Sequence, residues 1–215
     1  MTQWEDSQCQ KIISLTKLCV LDNEFTFEGT WYAQVFGLAM GNCLSPILAN
    51  SFMEFFEKYL LSKIKPENIP WYRYLDDVIA LVPIDFDTNL FLAQLNELVP
   101  SINFTIEEEI NGRLGFLDVM IQREDRVFKF DIFRKETNVN SFIHAYSAHT
   151  WDTKRAVFTQ MYHRAFKICS PEYIDLELDR IMDIGLDLGY APSFLKKSLC
   201  KVRENTVAQT TVSGF

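Results

Sequence analysis

Trp71-Tyr72-Arg73-Tyr74-Leu75-Asp76-Asp77-Val78-Ile79-Ala80-Leu81-Val82 sets two adjacent carboxylates between two apolar runs. Both runs are rich in aromatic or β-branched residues, the composition of a strand, and an acidic pair between such runs is a natural chain reversal. The segment predicts a tight antiparallel hairpin with Asp76 and Asp77 at its tip.

Upstream, Gly37-Leu38-Ala39-Met40-Gly41 is a loop with a flexible residue at each end. Ser45 follows as a candidate N-cap, with Pro46 in the first helical turn. Leu48, Phe52, Phe55, Tyr59 and Leu60 recur at helical spacing and predict a helix to about Ile64, roughly 30 Å long. Nearer the start, Ile12, Ile13, Leu15, Leu18 and Cys19 predict a helix over 7–22, and a short hairpin turns at Glu28-Gly29. Downstream, Asp87 caps a helix through Leu98, and Ile102, Phe104 and Ile106 alternate as a strand. Asn111-Gly112 turns into a strand over Leu114–Arg123, and Phe128–Lys135 is another. Helices follow over 152–168, about 172–188 before Gly189, and 192–203 from Pro192.

The 215 residues include 18 Phe and are 48% hydrophobic, enough for a core and unlike a disordered or collagen-like chain. No apolar run approaches the ~20 residues of a membrane span and no signal-peptide layout opens the chain, so an intracellular protein is expected. The five cysteines form no CxxC pair and suggest reduced thiols. His144, His149, His163 and Cys169 match no finger spacing, and zinc is not expected. The net charge of −8 looks unsuited to nucleic acid, whose phosphates are met by Lys and Arg. The charge is uneven, however. Residues 1–122 hold 7 basic and 17 acidic side chains, whereas 123–203 hold 14 and 11.

Adjacent carboxylates offer the hard oxygen donors that Mg²⁺ takes in phosphoryl transfer. A solvated Asp-Asp turn has the same sequence, so the pair alone leaves both readings open. On the helix at 152–168, Arg155, Thr159, His163 and Lys167 share one face, with Val157, Met161, Ala165 and Ile168 as its core stripe. Such a face suits duplex phosphates and equally suits a solubilising surface.

Further motifs stand in order around the hairpin, and together they resemble the reverse transcriptase family, RNA-directed DNA polymerases, of the Penelope-like retroelement type. Tyr74-Leu75-Asp76-Asp77 is similar to the family's YxDD motif C, and Gly37 through Asn50 to its motif B. Residues 102–107 resemble motif D. Residues 114–119 with 133–137 resemble the hairpin carrying the primer grip. Arg164-Ala165 and Cys169-Ser170 resemble the thumb. The resemblance implies an α+β fold, with a partial palm (an antiparallel sheet with packed helices) over 1–136. An all-helical thumb over 137–203 and a flexible tail over 204–215 would follow. It implies Asp76 and Asp77 as catalytic metal ligands for Mg²⁺ or Mn²⁺, and Tyr74 beneath the primer terminus. Gly37, Met40 and Gly41 would line the template and incoming nucleotide, with Arg155, His163 and Lys167 facing the template–primer. The implied partners are an RNA template, a DNA primer and deoxynucleoside triphosphates. Met40 stands where many relatives carry Gln, Asn42-Cys43 replaces the usual Ser-Pro, and Gly41 reads equally as a turn before a helix.

The family also uses an Asp from an earlier strand to bridge its metals. Asp6 and Asp22 do not match that strand, and neither fingers nor a nuclease module is recognisable. The expectation is an N-terminally truncated fragment, inactive or nearly so alone; the alternative is a non-catalytic nucleic-acid-binding or interaction remnant. Asp118 is expected on a solvated face outside the metal site. The Asp76-Asp77 hairpin is expected to keep an open edge.

Overall fold

Two separate cores organise the chain. The computed structural model describes residues 6–21, 23–125 and 127–212, and divides into two compact units between Ile106 and Glu107. Its helices and small antiparallel sheets are α+β at the coarse level. Among the described residues no helix is long and apolar enough to cross a membrane.

The first unit runs through α1 (Asp6–Leu21), the hairpin β1 (Glu24–Phe27) and β2 (Thr30–Ala33), then α2 (Ser45–Phe55). After α2 come β3 (Trp71–Tyr74), β4 (Asp77–Ala80) and α3 (Thr88–Leu98). Its buried centre is Phe56, Leu61, Phe91 and Leu95, with Trp71, Phe86 and Phe104 against them. As predicted, Asp87 caps α3, its carboxylate accepting from the Leu90 amide at 2.9 Å. No residue of α1, β1 or β2 is buried. Asp22, considered above as an upstream carboxylate, lies outside the described residues.

Three expectations for this unit are corrected. Ser45 does not cap α2. It is the first helical residue, and its hydroxyl donates to the Ala39 carbonyl at 2.7 Å, closing the Gly37–Gly41 loop onto the helix. The long helix to Ile64 is not uniform: α2 gives way to a π turn over Phe56–Leu60 and a 3₁₀ turn over Leu61–Lys63. Both changes of winding start on a residue of the core, Phe56 and Leu61. Residues 102–106 form no strand, because the Asn96 side chain takes the place of a neighbour. It accepts from the Phe104 amide at 2.7 Å and donates to the Phe104 carbonyl at 3.2 Å.

The second unit begins with a three-stranded meander, β5 (Arg113–Phe116), β6 (Val119–Glu124) and β7 (Val127–Ile132). Asn111 and Gly112, with φ of +52° and +76°, make the turn that the Asn-Gly pair predicts. The strand expected over Leu114–Arg123 is two strands, folded at Leu117-Asp118 with Leu117 at φ +52°. Three helices follow: α4 (Trp151–Ile168), α5 (Pro171–Asp187) and α6 (Pro192–Val212). α6 is longer than the 192–203 predicted, and only 213–215 of the expected tail lie outside the described residues.

Phe158, Tyr162, Ala165, Leu178, Ile181, Tyr190, Leu195 and Val202 form the helical core. On α4 the core stripe is therefore Phe158, Tyr162 and Ala165 rather than the Val157, Met161, Ala165, Ile168 set. The meander is stitched to the helices. Phe130 and Ser170 exchange amide bonds of 2.8 and 2.9 Å, the second onto the Ser170 hydroxyl. Arg134 forks onto Glu177, whose side chain is only 3% exposed. These ties place β5–β7 with the helices, so the unit boundary falls before the meander and not near residue 136.

Candidate nucleic-acid interface and acidic hairpin

Alternation along β3 turns Trp71 and Arg73 toward the core and Tyr72 and Tyr74 outward. Tyr74 pairs with Asp77 in the register, so those two side chains share one face. Asp76 sits in the turn itself, after Leu75 held at φ +56°, a strained position for a bulky side chain. Both carboxylates and Tyr74 are exposed.

The clamp on this tip is Arg73, which sequence reasoning missed. Its guanidinium donates to both Glu57 carboxylate oxygens at 2.6 and 3.3 Å, to the Asn50 side chain at 3.2 Å and to the Leu75 carbonyl at 3.1 Å. The Arg73 side chain is 10% exposed. One planar cation thus ties the turn to α2 and to the π turn. Its signal was an arginine on the inward alternation of an otherwise apolar strand.

Of the loop residues, Gly37 and Gly41 have φ of +84° and +96°, and Met40 is exposed. Asn42 orders the loop, donating to the Cys19 carbonyl at 2.7 Å and accepting from the Leu44 amide at 2.9 Å. Among the described residues no hydrogen bond joins Gly37, Met40 or Gly41 to Asp76 or Asp77. Nor do three acidic, histidine or cysteine side chains gather into a metal-binding group there. Asp76 and Asp77 are adjacent exposed carboxylates, the hard oxygen donors that Mg²⁺ takes.

In the second unit, Asp118 lies at the β5–β6 turn, exposed as expected and paired with Arg164 at 3.0 Å. On α4, Arg155 is engaged by Asp152 at 2.9 Å and lies over the Phe194 ring, His163 is half-buried and Lys167 is exposed. Cys169 is buried; burial, with the Asp131 carboxylate beside it, pushes its thiol up to about 12. Burial also pushes the Tyr162 hydroxyl up to about 12.

α5 and α6 meet at a tight turn. Tyr190 donates its amide to the Gly185 carbonyl at 3.0 Å, and Gly189 donates to Leu186 at 2.9 Å. With Gly189 at φ +81°, this is a Schellman ending, and Pro192 starts the next helix. The helices approach closely because Gly185 has no side chain: a Cβ there would stand 2.6 Å from Leu195. Leu195, Ser198 and Val202 face the core. The opposite side of α6 carries Lys196, Lys197, Lys201 and Arg203, all exposed, with no acidic residue between Pro192 and Arg203. Among the described residues none of the three lysines is in an ion pair. This face was overlooked because acidic α5, with Glu172, Asp175, Glu177, Asp179, Asp183 and Asp187, dilutes the regional charge.

α5 and α6 are thus two helices joined by a short glycine-containing turn, the second basic on its outer face. Comparison with curated proteins and with solved structures returns no match. Residues 141–199, which span α4, α5 and the first turns of α6, match the family model described as an animal helix-turn-helix domain.

Proposed function

We propose that the chain is a nucleic-acid-binding part of a retroelement-type RNA-directed DNA polymerase, and that α6 is its principal contact with the phosphate backbone. The observation that carries the binding reading is the solvent face of α6, with Lys196, Lys197, Lys201 and Arg203 opposite a buried stripe. The helix-turn-helix match over 141–199 supports it. Cations set along one helix neutralise phosphates, release counterions and give binding that weakens with salt. Arg155, His163 and Lys167 of α4 are secondary contacts, Arg155 already engaged by Asp152. Fluorescence anisotropy of the full chain with a labelled RNA–DNA hybrid at low salt is the test. The expected result is binding that Lys197→Ala with Lys201→Ala weakens about tenfold; no binding at low salt overturns the proposal.

The polymerase assignment rests on the exposed Asp76-Asp77 tip held by Arg73 and on the motif order. Asp76 and Asp77 would hold Mg²⁺ or Mn²⁺, and when bound the metal supplies charge stabilisation at the transferring phosphoryl group. Tyr74, on the same face as Asp77, would support the primer end, with Gly37, Met40 and Gly41 toward template and nucleotide. Among the described residues no third acidic, histidine or cysteine side chain joins Asp76 and Asp77, and little or no extension by this chain alone is the expected result. Primer extension on an RNA template with Mg²⁺ or Mn²⁺ checks it. Robust extension abolished by Asp76→Ala would show that the described donor set suffices.

A further inference from the structure

At the turn between α5 and α6 the helical unit has an open depression of about 420 Å³, walled by Tyr146, Trp151, Arg155, Tyr190 and Phe194. Its two outer rings are largely exposed, Tyr146 at 86% and Trp151 at 58%. The walls are also held firmly. Lys154 is buried, and its ammonium donates to the carbonyls of Ala145 and Ser147 at 2.8 and 2.9 Å while lying 4.6 Å from the Trp151 ring centre. The Ala145 amide donates to Leu188 at 2.9 Å, and the Tyr190 hydroxyl donates to Ile143 at 2.7 Å. Tyr146 therefore sits on a loop fixed from both sides. Gly189 leaves room for it, since a Cβ there would meet the Tyr146 ring at 3.3 Å. Arg155, fixed by Asp152, lies 5.9 Å from the Phe194 ring centre.

Preformed aromatic walls with a planar cation are what a nucleobase needs for stacking. The charges beside the depression point to the same occupant. On α6, Phe194, Lys197 and Lys201 follow at i, i+3 and i+7 along one side of the helix. At 1.5 Å per residue the backbone positions of Lys197 and Lys201 lie about 4.5 and 10.5 Å beyond that of Phe194 along the helix axis. A row of cations leading away from a stacking pocket matches a backbone whose end base is unstacked.

We propose that this depression takes one unpaired nucleobase of a single-stranded segment, whose following phosphates run along Lys197 and Lys201. The inference rests on the nucleic-acid-binding reading and adds a preference for single-stranded or frayed ends. A stacked duplex hides its base faces and cannot use the pocket.

The test compares labelled oligothymidylate with a strand of equal length lacking all its bases, by anisotropy with the full chain. Oligothymidylate is expected to bind about tenfold more tightly. Tyr146→Ala and Trp151→Ala should bring it down to the abasic value, and Trp151→Phe, which keeps a stacking ring, should retain most of the difference. Lys197→Ala should weaken both strands by the same factor. Circular dichroism checks that each variant is folded. Equal binding of the two strands overturns the base pocket while leaving the nucleic-acid reading intact; no binding to either strand or to a hybrid overturns both. Tyr146-dependent binding of a proline-rich peptide without base dependence would assign the groove to a peptide. Dimers that dissociate on Tyr146→Ala would assign it to a second copy of the chain. Either result also overturns the proposal.

Discussion

Glu177 shows how much one side chain decides at the residue scale. It sits at 3% exposure and accepts the fork of Arg134, with Arg180 at 3.8 Å. Removing one partner of such a pair leaves the other charge poorly solvated, so Glu177→Ala should cost about 3 kcal/mol, read as a lower urea midpoint. Cys169 makes a second prediction. Its thiol ionises near 9.0 when unfolded and near 12 when folded, so the folded state is favoured below about pH 9. That contribution should fade as pH rises from 9 toward 12. At pH 9 Cys169 should resist alkylation while the exposed Cys9, Cys19, Cys43 and Cys200 react, measured by peptide mass mapping. Rapid native labelling of Cys169 would contradict its burial. These residues were not legible from sequence, since Glu177 looks like any acid on an acidic helix until the Arg134 contact, 43 positions away in sequence, is seen.

Elements were legible where local chemistry decides them and obscure where a distant group does. Asp87 announced α3, Asn111-Gly112 announced its turn, and Gly189 with Pro192 marked the α5–α6 junction, because each acts through its own backbone. The strand expected over 102–106 failed because its alternation was right but its hydrogen-bond partner is the Asn96 side chain. The Leu117-Asp118 turn hid inside an apolar run, since Leu at φ +52° carries none of the usual turn signature. At the hairpin the carboxylate tip was legible, yet the Arg73 clamp that holds it was not. The same scale carries a prediction for the helix pair. Gly185→Ala would drive a methyl into Leu195 and Phe158, and this overpacking should cost about 1–3 kcal/mol despite the better helix propensity of Ala. Thermal unfolding followed at the helical circular dichroism signal checks it, and an unchanged midpoint would mean the helices can separate freely.

For the whole molecule, stability should be uneven. α4 and α5 bury residues along their length and α6 joins the same core, whereas α1, β1 and β2 bury none and, among the described residues, the β3–β4 hairpin pairs with no third strand. Native-state hydrogen exchange should therefore be slowest in α4–α6 and fast in α1 and β1–β2. Charge is uneven as well, and α6 concentrates the cations that the net −8 conceals. The most direct test of nucleic-acid binding by α6 is the salt dependence of hybrid binding by the full chain, wild type against Lys197→Ala with Lys201→Ala. Log K should fall linearly with log salt, and the double variant should flatten that slope by about 2. Binding that ignores salt, or a double variant with the wild-type slope, would contradict the assignment of α6 as the phosphate-contacting helix.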